Sequence, residues 1–342
     1  MAKIKIGNKL IGAGEPCFII AEAGSNHNGS LEQAKKLIDV AVASKADAVK
    51  FQIYKAESLY SRYTPEFSYL KGQNVYELIK SIETPREWLK ELAGYCEDRN
   101  ITFLATPFDF EAVDLLDKYA PAFKIASFEI TDLELLQYAA RKGKPMIIST
   151  GMANLCEIED AITAIKSVGT EDILLLHCNS LYPTPVEAVN LKAMETMRTA
   201  FKVPIGFSDH TLGIHIPIAA VAMGACVIEK HFTLSREMKG PDHSFAIESA
   251  ELKELVRCIR EVEKAKGTGI KKKSELEGEG YEKARRSIHA KVDILKETKI
   301  TRDMLIIKRP GYGIKPKFID VVVGREAKRD IKEDEWITWD AV

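Results

Sequence analysis

Short apolar runs recur along the first three quarters of the chain, at 18–21, 48–53, 102–105, 123–126, 146–149, 173–177, 205–207 and 226–228. Each is a few residues long and rich in Ile, Val, Phe or Leu. Such runs suit strands buried on both faces of a parallel sheet. The stretches between them space their apolar residues at the helical period, as in 31–44, 86–98, 133–141 and 158–167. Strands alternating with helices predict a parallel α/β fold. Eight strands allow an open doubly wound sheet or a closed barrel. An open sheet usually carries a glycine-rich turn after its first strand. Here that strand runs into Ala21-Glu22-Ala23-Gly24-Ser25-Asn26, which lacks the GxGxxG spacing. Eight βα units in roughly 250 residues fit a barrel, so the predicted fold class is an α/β, (β/α)8 TIM barrel.

The pattern at 251–266 is a charged amphipathic helix, and beyond it the periodicity lapses. Residues 267–280 (GTGIKKKSELEGEG) carry no apolar period and read as a linker or exposed loop. From Tyr281 onward, short β-like runs at 288–292, 304–307, 318–323 and 336–339 predict a small, mostly β domain. The expected division is a barrel at 1–266, a linker at 267–284 and a second domain at 285–342. No repeat at a solenoid period is present.

Composition narrows the class. A chain of 342 residues, 46% of them hydrophobic, can fill one large core and one small one. Lys and Arg number 49 and Asp and Glu 50. There is no basic excess for nucleic acid, and an anionic substrate would have to be held by local charge. The N-terminus has no apolar signal core, and no run approaches a membrane span. The six cysteines, Cys17, Cys96, Cys156, Cys178, Cys226 and Cys258, form no CxxC pair. Disulfide scaffolding and a structural zinc are therefore not expected. The expectation is a cytoplasmic enzyme acting on small molecules, with no nucleic-acid or membrane partner.

Polar residues gather where the predicted strands end. Glu22, Asn26 and His27 follow the first; Lys50 and Gln52 lie in the second; Lys124, Ser127 and Glu129 mark the fourth. His177, Asn179, Ser180 and Tyr182 follow the sixth, Ser208, Asp209 and His210 the seventh, and Glu229, Lys230 and His231 the eighth. The C-terminal ends of barrel strands are where barrel chemistry sits. A lysine inside an apolar run must pair with a carboxylate, bind an anion or lose its charge. Lys50 and Lys124 thus read either as structural ion pairs or, with Ser127, Ser180 and Ser208, as a phosphate pocket. His210 and His231 end adjacent strands, about 5 Å apart. They are either hydrogen-bonded packing or two ligands of one ion, with Mn²⁺, Mg²⁺ or Fe²⁺ suited better than a closed zinc site.

These stretches together resemble the sialic acid synthase family of N-acetylneuraminate, legionaminate and pseudaminate synthases. The resemblance rests on FIIAEAGSNHNGS at 18–30, ADAVKFQ at 46–52, FLATPFD at 103–109 and FKIASFEI at 123–130. It continues through ISTGM at 148–152, LLHCNSLYPTP at 175–185, IGFSDHT at 205–211, IEKHFTL at 228–234 and GPDHSFA at 240–246. KRPGYGI at 308–314 resembles the signature of the small antifreeze-like (SAF) domain.

The resemblance implies a transferase that condenses phosphoenolpyruvate with an open-chain N-acyl mannosamine-type sugar. The products are a nine-carbon 2-keto acid and phosphate, released by C–O cleavage. N-acetylneuraminate is the first product expected, with legionaminate or pseudaminate from a di-N-acetylated 6-deoxy sugar as the alternative. It further implies a divalent metal, Mn²⁺ or Mg²⁺, held by His210 and His231 and acting as Lewis acid on the aldehyde oxygen. Lys50, Lys124, Ser127, Ser180 and Ser208 match its phosphoenolpyruvate positions. Gln52, Asn74, Glu129, Tyr182 and Asp242 match its sugar positions, and Glu22 is placed to act on water or on a sugar hydroxyl. Arg309 matches an arginine that reaches the N-acyl group across a domain-swapped homodimer. Sugar preference is expected to vary with the stretch 53–80, where this sequence leans to the neuraminate and legionaminate branches. Two other readings stay open: another phosphoenolpyruvate-condensing synthase or aldolase acting on a sugar phosphate, and a non-catalytic carbohydrate-binding protein. The absence of an extra basic cluster speaks against the first, and the set Lys50, Lys124, His210 and His231 against the second.

Overall fold

The computed structural model describes residues 3–65 and 74–342. The chain divides into two compact units, 1–267 and 268–342.

In the first unit the eight apolar runs are strands: β1 (Phe18–Gly24), β2 (Ala48–Ile53), β3 (Thr102–Pro107) and β4 (Phe123–Ile125). They continue as β5 (Met146–Ser149), β6 (Ile173–Cys178), β7 (Ile205–Asp209) and β8 (Val227–Thr233). All pair in parallel, in the order β3-β2-β1-β8-β7-β6-β5-β4. Because β8 returns to β1, the sheet curls on itself, and β3 and β4 stand side by side without a ladder. This is a nearly closed (β/α)8 barrel. Helices such as Leu31–Ala43, Leu133–Ala140, Leu155–Lys166 and Ser249–Lys266 cover its outside.

Strand alternation divides the apolar residues into two cores. Ile19, Val49, Phe103, Ile125, Ile148, Leu175, Phe207 and Ile228 face outward and pack with the helices. Phe18, Ile20, Ala48, Leu104, Ile147, Leu174, Leu176 and Val227 form the inner cluster. It also contains Ile4, Ile6 and Ile11, from an antiparallel hairpin of Ile4–Ile6 and Lys9–Ile11, so this hairpin plugs one end of the barrel. Gly206 leaves room there: a Cβ on it would lie 2.5 Å from Leu176 Cδ2 and 2.6 Å from the Val227 carbonyl oxygen.

The inward residues change character partway along each strand. Phe18 and Ile20 give way to Glu22, Ala48 to Lys50 and Gln52, and Leu104 to Thr106. Ala122 gives way to Lys124, Ile147 to Ser149, Leu176 to Cys178, and Val227 to Glu229 and His231. The N-terminal half of the barrel is thus an oily plug, and the C-terminal half is a polar bowl set upon it.

The second unit has its own core, including Ile288, Ile294, Ile300, Ile314 and Ile337. Ser287–Ala290 and Leu305–Lys308 pair antiparallel, as the runs at 288–292 and 304–307 predict. The run at 318–323 is not a strand. Pro316 opens a 3-10 turn and Ile319–Val322 continues as a helical turn that buries Val322, because a proline at the first position favours helical entry. The run at 336–339 contributes only an isolated bridge, His289 to Trp336. Segment 267–284 carries a 3-10 turn, Glu275–Glu277, and a short helix, Gly278–Lys283. Among the described residues no helix is long and apolar enough to cross a membrane.

Candidate active site

The bowl opens into a cavity of about 170 Å³ at the C-terminal ends of the strands. Its floor holds the charges. Lys50 lies 2.9 Å from Glu22 Oε2 and 3.7 Å from Glu229 Oε1, and donates to Thr106 Oγ1 at 3.1 Å. Lys124 donates to Ser149 Oγ at 2.8 Å and lies 3.5 Å from Glu229 Oε1. Both ammonium groups are therefore held by carboxylates while still lining the cavity. Burial opposes the charge on Glu229, but Lys124 and Lys50 outweigh it and hold the carboxyl below its ordinary range. Burial lowers Lys124 and is only partly offset by Glu229. Glu22 is raised by burial, against the pull of Lys50, and accepts from Gln52 Nε2 at 2.8 Å.

Ser127 and Ser208 line the cavity with these lysines, whereas Ser180, the third expected hydroxyl, lies outside its lining. Ser208 Oγ lies 3.2 Å from Glu229 Oε1. Ser127 Oγ accepts the Gly151 N–H at 2.9 Å, and its hydroxyl also bonds with the Cys178 side chain. Ser180 Oγ is buried without a hydrogen-bond partner. A Cβ on Gly151 would lie 2.4 Å from Ser180 Oγ and 2.8 Å from Ser127 Oγ, so both hydroxyls converge over this glycine.

Two residues beyond Ser208 and Glu229, on the same faces of β7 and β8, the rings of His210 and His231 lie 5.3 Å apart. His210 Nδ1 is 2.9 Å from the Asn179 carbonyl oxygen, which can only accept. That nitrogen carries a proton, which leaves Nε2 as the atom able to face a metal. His231 Nδ1 is buried without a hydrogen-bond partner, and Asp242 Oδ2 is 3.8 Å from it. Burial, then the charge of His210 and Lys50, holds His231 well below its ordinary pKa and thus neutral. Burial lowers His210, but Cys178 and the Asn179 carbonyl outweigh it and raise its pKa; with the Nε2 proton released, it and the neutral His231 fit a divalent ion that keeps open positions. Among the described residues no group of three or more His, Cys, Asp or Glu side chains forms a closed cage.

Of the other sugar positions expected, Gln52, Tyr182 and Asp242 line the cavity. Tyr182 lies 4.3 Å from His210, ring to ring. Burial pushes the Asp242 carboxyl up to about 6. Glu129 sits on the turn Ser127–Glu129, outside the lining, with one carboxylate oxygen unpartnered and its pKa raised by burial to about 7. Asn74 stands apart. It is exposed and caps helix Val75–Ser81 by accepting the Glu77 N–H. It adjoins residues 66–73 of the expected specificity stretch, which lie outside the described residues. The rest of that stretch supplies an apolar wall of Tyr54, Leu59, Tyr60, Val75, Leu78 and Ile79. Arg309 is exposed in the second unit, just beyond Leu305–Lys308.

Sequence reasoning gives no role to Glu229, Thr106 or Ser149. Parity was the available signal: Glu229 is two residues before His231 and must share its face. The same rule turns His177, Asp209 and Lys230 away from the bowl. His177 Nε2 meets the Val189 carbonyl and Lys230 pairs with Asp209.

A model of the NeuB family matches residues 37–271, and a model of the SAF domain matches residues 285–342. The chain belongs to the NeuB family. The N,N'-diacetyllegionaminic acid synthase of Campylobacter jejuni is 46% identical over 328 residues, covering 94% of this chain and 98% of that protein. The protein of the same name from Legionella pneumophila is 41% identical over 346 residues, covering 98% and 97%. The solved N-acetylneuraminic acid synthetase of Leptospira borgpetersenii superposes with a TM-score of 0.74 at 38% identity, covering 81% of this chain and 94% of that one. Relatives within the NeuB family are thus synthases of sialic-acid type, and the bowl is where this member carries its buried lysines, serines and paired imidazoles.

Proposed function

We propose that the chain condenses phosphoenolpyruvate with an N-acyl mannosamine-type sugar to give a nine-carbon sialic acid and phosphate. The observation that carries this reading is the convergence in one cavity of Lys50, Lys124, Ser127 and Ser208 with His210 and His231. The first set suits a phosphate and a carboxylate, through charge-assisted hydrogen bonds. The second would hold Mn²⁺ or Mg²⁺, which supplies Lewis acidity toward the sugar aldehyde.

In this reading Lys50 and Lys124 hold phosphoenolpyruvate with its C3 toward the imidazoles. Gln52, Tyr182 and Asp242 orient the sugar chain, so that a new bond joins C3 to the aldehyde carbon. Water then adds at C2, and the tetrahedral carbon loses phosphate with cleavage of its C–O bond. Glu22, whose carboxyl is raised by burial and lies beside Lys50, is the group placed to take the proton of that water. The apolar wall of Tyr54, Leu59 and Val75 excludes bulk water from the bowl.

N-acetylmannosamine, yielding N-acetylneuraminate, is the first substrate. A di-N-acetylated 6-deoxy sugar, yielding a legionaminate, is the second reading, favoured by the names of the relatives at 46% and 41% identity. The reading includes a homodimer in which Arg309 of one protomer serves the bowl of the other. A phosphate-release screen with phosphoenolpyruvate, Mn²⁺ and each of N-acetylmannosamine, its 6-phosphate and the di-N-acetylated 6-deoxy sugars tests it. Release is expected with a non-phosphorylated N-acyl sugar and only when metal is present. No release with any of these sugars rules the synthase reading out.

A further inference from the structure

The outward face of β7 and β8 carries a charged pair that the bowl does not use. Asp209 and Lys230 are register partners across the parallel ladder. Both are buried, and Lys230 Nζ lies 2.7 Å from Asp209 Oδ2. Asp209 Oδ1 accepts the Thr211 N–H at 2.9 Å, and Oδ2 accepts the Thr211 hydroxyl at 3.1 Å. Lys230 also donates to the Thr211 carbonyl oxygen.

These bonds have a specific geometry. Asp209 and Thr211 flank His210, and Lys230 directly precedes His231. One ammonium group therefore ties the residues on both sides of one imidazole to the residue before the other. Strand alternation sends the pair outward while both imidazoles point inward. The side-chain bonds from Asp209 to Thr211 also close a local turn around His210, which fixes the backbone where β7 ends.

Stability alone is a poor account of this pair. A buried ion pair loses much of its Coulomb energy to desolvation, and well-packed apolar residues usually serve a core as well or better. Its placement is specific to the two strand ends that carry the imidazoles. Thr211 is itself buried, so the clamp has no solvent route to exchange its bonds.

We propose that Asp209 and Lys230 are positioning residues that set the separation of His210 and His231 for a divalent cation. The proposal rests on the metal role given above to these imidazoles. Groups that orient metal ligands typically change affinity by about 10–100-fold when removed.

The test measures Mn²⁺ binding by electron paramagnetic resonance, and phosphoenolpyruvate binding by calorimetry without metal, on the full chain. Asp209→Asn with Lys230→Met removes both charges together, so neither is left buried alone. Asp209→Asn alone is the second variant, since the amide keeps the size of the carboxylate. Either folded variant is expected to bind Mn²⁺ about 10–100-fold more weakly than the wild type, with a clearly smaller loss of phosphoenolpyruvate affinity, because Lys50 and Lys124 stand on other strands and only Ser208 and Glu229 adjoin the pair. Unchanged Mn²⁺ affinity overturns the clamp. Equal loss of both ligands also overturns it, because that is the signature of general loosening. A His231→Ala control separates the two ideas. If the wild type and this control bind Mn²⁺ alike, the metal role itself fails and the clamp falls with it. If only the control loses Mn²⁺, the clamp alone is wrong.

Discussion

Gly151 has no side chain, yet its neighbours make it consequential. Ser127 and Ser180 crowd the place where its Cβ would stand, at 2.8 and 2.4 Å. Gly151→Ala must push one or both hydroxyls aside. A hydrogen bond to a charged group is worth about 1.5–3 kcal/mol, so the KM for phosphoenolpyruvate should rise roughly 10–100-fold while that for the sugar changes little. Steady-state kinetics in both substrates would reveal it; an unchanged phosphoenolpyruvate KM removes the two serines from the anion site. Glu129 makes a second residue-scale prediction. Burial raises its carboxyl from an ordinary 4.5 to about 7. The folded protein thus favours the protonated form, and stability is fullest below the unfolded value. It is lost as pH rises from 4.5 through 7. Glu129→Gln removes this dependence. The variant should match the wild type near pH 4 and exceed it by about 2–3 kcal/mol above pH 8. Denaturant unfolding across that range reads the difference directly, and parallel curves would mean that Glu129 is solvated.

At the scale of the element, strand positions were legible and side-chain facing was only half used. Unbroken apolar runs reveal a parallel strand because both faces are buried, and each of the eight runs lies on one of the barrel strands. Runs of that kind conceal which residues face the axis. Glu229 was visible at its strand end, but its partnership with Lys50 and Lys124 depends on three strands meeting around the axis. The run at 318–323 misled because its β-branched residues outweighed the proline just before it, and Val322 reaches its core from a helical turn instead. Asn74 could not be placed by motif alone, since a cap and a sugar contact both call for the same amide. The inner layer yields an element-scale prediction at Gly206. Any side chain there enters space held by Leu176 and Val227. Gly206→Ala should destabilise the barrel by about 1–3 kcal/mol through overpacking. Truncating Leu176 as well should recover part of that loss, and thermal melts of the two variants would show whether the interior is as tight as the distances state.

Across the whole molecule, the distribution of exposed apolar residues bears on the homodimer proposed above. Single exposed apolar side chains are ordinary. Here Phe128, Met152, Leu155, Leu181, Val186 and Leu212 are all exposed, and they follow four consecutive strands, β4 to β7, at the rim of the bowl. An apolar rim of this kind is the sort of surface that the proposed partner subunit could cover. The second unit exposes Tyr312, Trp336 and Trp339, the residue types that anchor interfaces. If Arg309 serves the partner's bowl, a His231→Ala protomer and an Arg309→Ala protomer should rescue each other. Each variant alone is expected to be nearly inactive. A mixed dimer contains one bowl with both defects and one with neither. Equal random mixing makes about half of the dimers mixed, so co-expression should restore about a quarter of wild-type phosphate release. If Arg309 instead serves its own protomer, every bowl carries one defect and nothing is restored. Co-expression with two different affinity tags, followed by tandem purification, isolates the mixed dimer and should raise recovery to about half, one sound bowl in two.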